Sequence, residues 1–129
     1  MSFALKAGKN KMKSHKPKYV EKDWGSETWF ANNESHDYCG KILEIQKDKH
    51  TSMHFHISKH EIFYVLEGTL RVDWIDTETA KHNTAFVKQG DCMEMPQGVP
   101  HSLIASSDSV KLREASAFRR DSDSYRIHK

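Results

Sequence analysis

Three side chains that can bind a metal ion are spaced as a pair of adjacent strands would require. His54 and His56 are two residues apart, so a strand would point both imidazoles to the same side. Glu61 follows after a short turn, and its face also carries Phe63 and Val65. Imidazoles and a carboxylate on an otherwise apolar face need a partner, and a divalent cation is a suitable one. This segment therefore predicts a metal site.

A fourth candidate ligand comes from a second segment, residues 90–101. It consists of a predicted strand, a Pro-Gln-Gly turn and then His101 at the start of a new strand. A single histidine is more often a surface residue than a ligand, but three histidines and one carboxylate together suit Mn, Fe, Co, Ni or Zn and leave coordination positions open. We therefore expect one divalent transition metal, bound by His54, His56, Glu61 and His101.

The pattern that would position these ligands is a series of short strands. From Trp24 onward, β-branched and aromatic residues alternate with polar ones between turn signals such as Glu67-Gly68. The strands are predicted at residues 27–32, 38–46, 51–57, 60–67, 69–75, 83–88, 91–95, 101–106 and 109–117. Many short strands without helical periodicity favour an all-β sandwich or barrel.

The chain divides into three predicted parts. Residues 1–22 are rich in lysine and are expected to form a flexible basic arm, or alternatively an arm that contacts a partner subunit or an anionic surface. Residues 23–118 would form the barrel. Residues 119–129 are a polar tail, either frayed or packed over the barrel through Tyr125 and Ile127.

Composition limits the possible partners and location. The 129 residues suit a single domain, and a net charge of +2 does not favour a nucleic-acid partner. No apolar run is long enough to span a membrane or to form a secretory leader, so we expect a cytoplasmic protein with no membrane partner. A small barrel with open sheet edges also predicts a homodimer, with the arm or the strand near Trp29 at the interface.

One lysine is a candidate substrate-binding residue. Lys41 alternates with Leu43 and Ile45, so if those two side chains enter the core, Lys41 points inward too. A buried ammonium group is unfavourable unless it meets an anion. We therefore expect Lys41 to bind a phosphate or carboxylate of an anionic small molecule; the alternative is that it lies at the rim and reaches water.

The two metal-ligand segments resemble the motifs of the cupin superfamily. The first motif is matched by His54, His56, Glu61 and Gly68, and the second by Gly90, Pro96, Gly98 and His101. Ala105 stands where the second motif closes with Asn. The resemblance implies a single jelly-roll barrel, or double-stranded β-helix, with a metal ion near one open mouth.

A narrower resemblance covers about residues 23–126 and is to the cupin domain of type II mannose-6-phosphate isomerases. It is carried by five segments, Asp23-Trp24-Gly25, residues 38–43, 52–61, 64–68 and 121–126. This chain departs from that family near the ligands, with His54 in place of Gln, Ile57-Ser58 in place of further histidines, and Ile62-Phe63 where Trp is common.

Three functional hypotheses follow. The resemblance implies an isomerase-like enzyme acting on a small phosphorylated sugar, in which a metal holds the carbonyl and neighbouring hydroxyl while a base moves a proton through an enediol. The sequence does not identify the base. The alternatives are an Fe-dependent dioxygenase or metal-dependent lyase acting on a small acid, and a non-catalytic cupin that binds a sugar or metabolite.

Overall fold

The computed structural model describes residues 12–106 and 108–129, which form eleven strands and one 3-10 helix (Asp121–Asp123). The strands are β1 (Lys18–Lys22), β2 (Gly25–Asn33), β3 (Tyr38–Ile45), β4 (Met53–Phe55), β5 (Glu61–Glu67), β6 (Thr69–Ile75), β7 (His82–Lys88), β8 (Cys92–Met95), β9 (His101–Ala105), β10 (Val110–Ser116) and β11 (Tyr125–His128). All nine predicted strands are present, with ends within two residues of the prediction.

The strands form two antiparallel sheets. The larger has the order β1-β2-β3-β10-β5-β8, and the smaller has the order β11-β4-β9-β6-β7. Their inner faces enclose one core, so the prediction of an all-β, single jelly-roll barrel is confirmed. Gly68 makes the sharp turn from the larger sheet to the smaller one: its φ is +83°, and a Cβ there would lie 2.7 Å from the Ser109 carbonyl oxygen.

The inner face of the larger sheet is apolar at one end and charged at the other. On β3, Leu43 and Ile45 enter the core and Lys41 lies beyond them on the same face. Directly opposite on β10, Leu112 pairs with Leu43 and Glu114 pairs with Lys41. The apolar end is filled by Leu43, Ile45, Phe63, Val65, Leu70, Val72, Val87, Met95, Leu103, Ala105, Val110 and Leu112. The charged end lines an internal cavity.

Strand pairing in the structure reaches beyond the predicted start of the barrel. Lys18–Lys22, expected within the flexible arm, form β1 and pair with β2, so the barrel begins at Lys18. The alternation around Val20 is too short and too polar to predict a strand. β1 forms because the free edge of β2 is available for pairing. Residues 1–11 of the arm lie outside the described residues.

The tail is packed against the barrel. β11 pairs with β4, and the Tyr125 ring stacks on Phe55 with a centroid distance of 5.1 Å. Tyr125 and Ile127 nevertheless remain 43% and 49% exposed. In the described part of the chain, no helix is both long and apolar enough to cross a membrane. Cytoplasmic location stays a prediction.

Candidate metal centre

Three histidines converge at the inner end of the cavity. His54 lies on β4, His56 directly follows that strand, and His101 opens β9 opposite His54 in the strand pairing. Each offers one ring nitrogen, and these three atoms lie within 4.8 Å of one another. The predicted convergence of the histidines is therefore present in the structure.

Backbone carbonyls orient all three rings. The Nδ1 atoms lie 2.8 Å from the carbonyl oxygen of Ser52 for His54, 2.9 Å from that of Asp123 for His56, and 2.9 Å from that of Val99 for His101. A carbonyl oxygen can only accept, so each Nδ1 carries the proton and each Nε2 keeps a free lone pair. This arrangement of outer contacts is typical of metal-binding histidines.

Glu61 completes the predicted set. Its carboxylate is buried, and Oε1 lies 3.5 Å from His56 Nε2 and 3.4 Å from His101 Nε2. Among the described residues, this oxygen is a buried polar side-chain atom without a hydrogen-bond partner. A buried, unsatisfied carboxylate oxygen facing imidazole lone pairs fits a divalent cation, which would supply the missing partner.

A buried charge cluster that the sequence analysis did not predict adjoins the histidines. Lys59 Nζ lies 3.1 Å from Glu61 Oε2 and 3.1 Å from Glu114 Oε2, and all three side chains are buried. Ser116 Oγ donates a 2.9 Å hydrogen bond to the same Glu114 oxygen. Glu61 is thus held through Oε2, while Oε1 points to the histidines.

Burial and neighbouring charge set the protonation states at this site. Burial, helped by His101, lowers the pKa of His54 to about 4, and burial also lowers the pKa of His56. Burial opposes the charged form of Lys59, but the Glu114 and Glu61 carboxylates still raise its pKa. The two histidines are therefore neutral at pH 7, as metal binding requires, and Lys59 is an ammonium ion.

The two carboxyl groups of the cluster shift in opposite directions. Burial raises the pKa of Glu114, and the Glu61 charge adds to that effect. Burial also opposes ionisation of Glu61, but the charge of Lys59 beside Oε2 lowers the pKa of Glu61 overall. Glu61 is therefore the ionised member of the pair and the one suited to bind a cation.

Asp123 holds the loop that joins the ligand-bearing strands. Its carboxylate accepts hydrogen bonds from the backbone N–H groups of Ile57 at 2.8 Å, Ser58 at 3.0 Å and Lys59 at 3.0 Å. Its backbone carbonyl accepts a hydrogen bond from His56 Nδ1. We call this set of contacts the Asp123 cap; it fixes both the loop and one candidate ligand.

Lys41 lies inside the barrel, as its alternation with Leu43 indicates. Its side chain is 3% exposed, and Nζ lies 3.6 Å from Glu27 Oε1 and 4.7 Å from the centre of the Trp29 ring. Strand β2 has a bulge between Trp29 and Ala31, whereas β3 keeps its regular alternation. Glu27 supplies an anion for Lys41, so its burial does not by itself require a ligand.

The metal centre opens into a cavity of about 420 Å³. Leu43, Phe63 and Leu103 form an apolar part of its wall. Lysines and arginines outnumber acids in the lining, seven to five. Four of the basic residues come from the C-terminal segment, Arg119, Arg120, Arg126 and Lys129.

The site residues that were not predicted differ in how clearly the sequence indicates the direction of their side chains. Glu114 alternates with Val110 and Leu112, and this parity could have indicated that it faces inward. Lys59 stands in a loop and Asp123 in a polar tail, where no local pattern indicates side-chain direction.

Comparison with known proteins gives a family and two related sequences. The family model described as "Cupin domain" matches residues 41–114. The chain is 32% identical over 82 residues to 3-hydroxyanthranilate 3,4-dioxygenase of Bos taurus, covering 57% of this chain and 28% of that enzyme. It is 30% identical over 83 residues to the uncharacterized protein YdbB of Bacillus subtilis, covering 64% of this chain and 67% of that protein.

A solved structure shares the fold. The capsular polysaccharide assembling protein CapF of Staphylococcus aureus superposes with a TM-score of 0.77 at 17% identity. The superposition covers 90% of this chain and 35% of CapF. The chain thus spans about a third of CapF and a smaller share of the cattle dioxygenase, and at this identity the structural likeness concerns the fold.

Proposed function

Because this chain belongs to the cupin domain family, we propose that it is a divalent-metal-dependent enzyme that oxidises a small carboxylic acid with dioxygen. The observation that carries the proposal is the convergence of three imidazoles with the unsatisfied Glu61 oxygen at the inner end of a cavity. Imidazole and carboxylate ligands with open positions are typical of non-haem iron oxygenases. The similarity to a dioxygenase supports this reaction class.

Different residues of the chain would bind the metal and the substrate. His54, His56, His101 and Glu61 would hold the metal. The chemistry that a bound iron ion supplies is activation of the substrate and of dioxygen. Lys41 provides positive charge for the carboxylate of the substrate, while the wall formed by Leu43, Phe63 and Leu103 seats its apolar part and excludes water. Both dioxygen atoms enter the product, so no external reductant is needed.

A second candidate is isomerisation of a small phosphorylated sugar. The observation that favours it is the group of basic residues from the C-terminal segment in the cavity lining, because arginine and lysine suit a phosphate group. The enediol route needs a base near the metal, and Glu114 lines the cavity with a pKa raised first by burial and then by the Glu61 charge. This candidate agrees with the narrower sequence resemblance.

Elemental analysis followed by oxygen uptake tests the first proposal against the second. The purified protein would be loaded with Fe²⁺ and incubated with a panel of small aromatic and aliphatic carboxylic acids in an oxygen electrode. We expect oxygen consumption with at least one acid, abolished by His101→Ala. No oxygen uptake, together with anaerobic conversion of a sugar phosphate by the Mn²⁺ or Zn²⁺ form, would contradict the oxygenase and favour the isomerase.

A further inference from the structure

We propose that Lys59 is a catalytic residue that donates a hydrogen bond to the anionic group of the substrate beside the metal centre. The inference rests on the proposed function, since it requires an anionic substrate in this cavity. It goes further in naming the residue that contacts the negative charge of the substrate.

The Lys59 ammonium group has one N–H more than its neighbours in the protein use. Nζ lies 3.1 Å from one oxygen of Glu61 and 3.1 Å from one oxygen of Glu114. In residues 12–106 and 108–129, these two carboxylates are the acidic groups within ion-pairing distance of it. An ammonium group has three N–H donors. Because Lys59 also lines the cavity, the third donor is available to a ligand there.

Both ends of the Lys59 residue are fixed. Its backbone N–H donates to Asp123 Oδ2 at 3.0 Å, as part of the Asp123 cap. At the other end, Glu114 holds Nζ and is itself held by Ser116. A donor fixed in this way needs little reorganisation when a ligand binds, which favours both affinity and stabilisation of developing negative charge.

Lys59 and two of the histidines lie beside the two oxygens of one carboxylate. Lys59 contacts Oε2 of Glu61, and Oε1 of the same carboxylate faces His56 and His101. Lys59 and the candidate metal ligands therefore adjoin the same part of the cavity. A carboxylate group that enters this part of the cavity would accept a hydrogen bond from Nζ.

The charges of the cluster favour an anion. Lys59 and the ionised Glu61 balance each other, and buried ion clusters of this kind seldom add stability over apolar residues of similar size. A divalent cation beside Glu61 makes the sum positive in either protonation state of Glu114. Lys41, whose charge Glu27 offsets in part, adds to it. A negatively charged group on the substrate would therefore lower the net charge of the site.

Anion binding to the Zn²⁺-loaded protein tests the role of Lys59 without relying on turnover. Calorimetric titrations would use formate, acetate and benzoate, with uncharged benzamide as the matched neutral probe. The variants are Lys59→Met and the double variant Lys59→Met/Glu114→Gln, which also removes a negative charge and so avoids leaving two buried carboxylates without their cation. Lys111→Met is the control, because Lys111 pairs with Glu44 on the outer side of the barrel.

Each outcome decides the proposal. We expect both Lys59 variants to retain Zn²⁺, to bind carboxylates about tenfold to a hundredfold more weakly, and to bind benzamide as the wild type does. Unchanged carboxylate affinity in either Zn²⁺-loaded variant would overturn the proposal. Loss of Zn²⁺ from both variants would also overturn it, by making Lys59 a support of the metal ligands. A wild-type protein that binds none of the three carboxylates would overturn it as well.

The same titrations separate this inference from the proposed function. If the Lys59 variants bind carboxylates more weakly and the Fe²⁺ form of the wild type takes up no oxygen, Lys59 is an anion-binding residue and the oxygenase proposal is contradicted. If the wild type takes up oxygen and the variants keep their carboxylate affinity, the oxygenase proposal is supported and Lys59 has no part in substrate binding.

Discussion

The Nδ1–H group of His56 donates a hydrogen bond to the backbone carbonyl of Asp123, 67 positions later in the chain, over a distance of 2.9 Å. The Asp123 carboxylate accepts hydrogen bonds from the backbone N–H groups of the loop after His56. A candidate metal ligand and the loop that follows it thus depend on one residue of the C-terminal segment.

Replacing Asp123 by Ala should weaken both folding and metal binding. The change leaves three loop N–H groups, of which that of Lys59 is buried, without their acceptors, and we expect a loss of about 2–4 kcal/mol in the free energy of unfolding. Metal affinity should fall about tenfold, as is typical for loss of an outer contact to a ligand. Urea unfolding and Zn²⁺ titration measure the two effects. Asp121→Ala is the control, because the Asp121 side chain is 91% exposed; equal behaviour of the two variants would contradict the role of the cap.

His101→Ala or His56→Ala should remove most of the bound metal. Each change deletes one of three converging imidazoles, and the metal stabilises only the folded state, so Tm should fall towards that of the metal-free protein. Elemental analysis and thermal melting measure this. His60→Ala should keep a full metal complement, since the half-exposed His60 lies by Glu94 instead. Full metal content in His101→Ala would show that the site is assigned wrongly.

The metal-free protein should lose stability as the pH falls from about 6.5 towards 4. The pKa of His54 is about 4 in the folded chain, because of burial and then His101, against 6.5 for a free histidine. The unfolded chain therefore binds more protons in this interval, and folding stability is complete above pH 6.5 and declines below it. We expect a loss of about 2 kcal/mol at pH 5 from His54 alone.

Urea unfolding of the metal-free wild type and His54→Asn at pH 7 and pH 5 checks that expectation. The variant should show a clearly smaller difference between the two pH values. His50→Asn, at a position outside the metal centre, serves as the control. A pH dependence identical in His54→Asn and the wild type would show that His54 titrates normally.

Lys41→Met should weaken binding of an anionic ligand about tenfold while leaving the metal content unchanged. Glu27 lies 3.6 Å from Nζ and offsets part of the lysine charge, so the effect should lie at the lower end for a charge-assisted contact. Titration with a sugar phosphate and with its uncharged parent sugar measures this. If the wild type and the variant bind both compounds with equal affinity, Lys41 has no part in ligand binding.

The homodimer remains a prediction that sedimentation can test. Ile62 and Tyr64 lie on the outer face of β5 and are 39% and 44% exposed, which suits an apolar contact between copies. We expect twice the chain mass of 15.0 kDa in solution. A monomer at micromolar concentration, with residues 1–22 intact, would contradict the prediction.

The parts of the site that the sequence predicts are those where alternation along a strand decides which way a side chain points. His54, Glu61 and Lys41 each lie on or beside strands whose apolar partners show the inner face, and the structure places them there. Lys59 lies in a loop, and its direction is set by Glu114 and Asp123, which are distant in sequence. A local sequence pattern holds no information about contacts between residues that are distant in sequence.

The same reasoning explains the missed strands. β1 and β11 are short, polar and at the edges of their sheets, so most of their side chains face solvent and show little alternation. Their stability comes from the partner strands, β2 and β4, and is a tertiary effect.

The pairing of β4 bears on how the protein is made. This short strand, which carries His54 and leads to His56, pairs only with β9 and β11 among the strands described. Both partners leave the ribosome later than β4 does. β4 therefore completes its strand pairing only after residue 125 has been synthesised. We expect the three histidines to form one metal-binding group late in synthesis, when nearly the whole chain is available to fold.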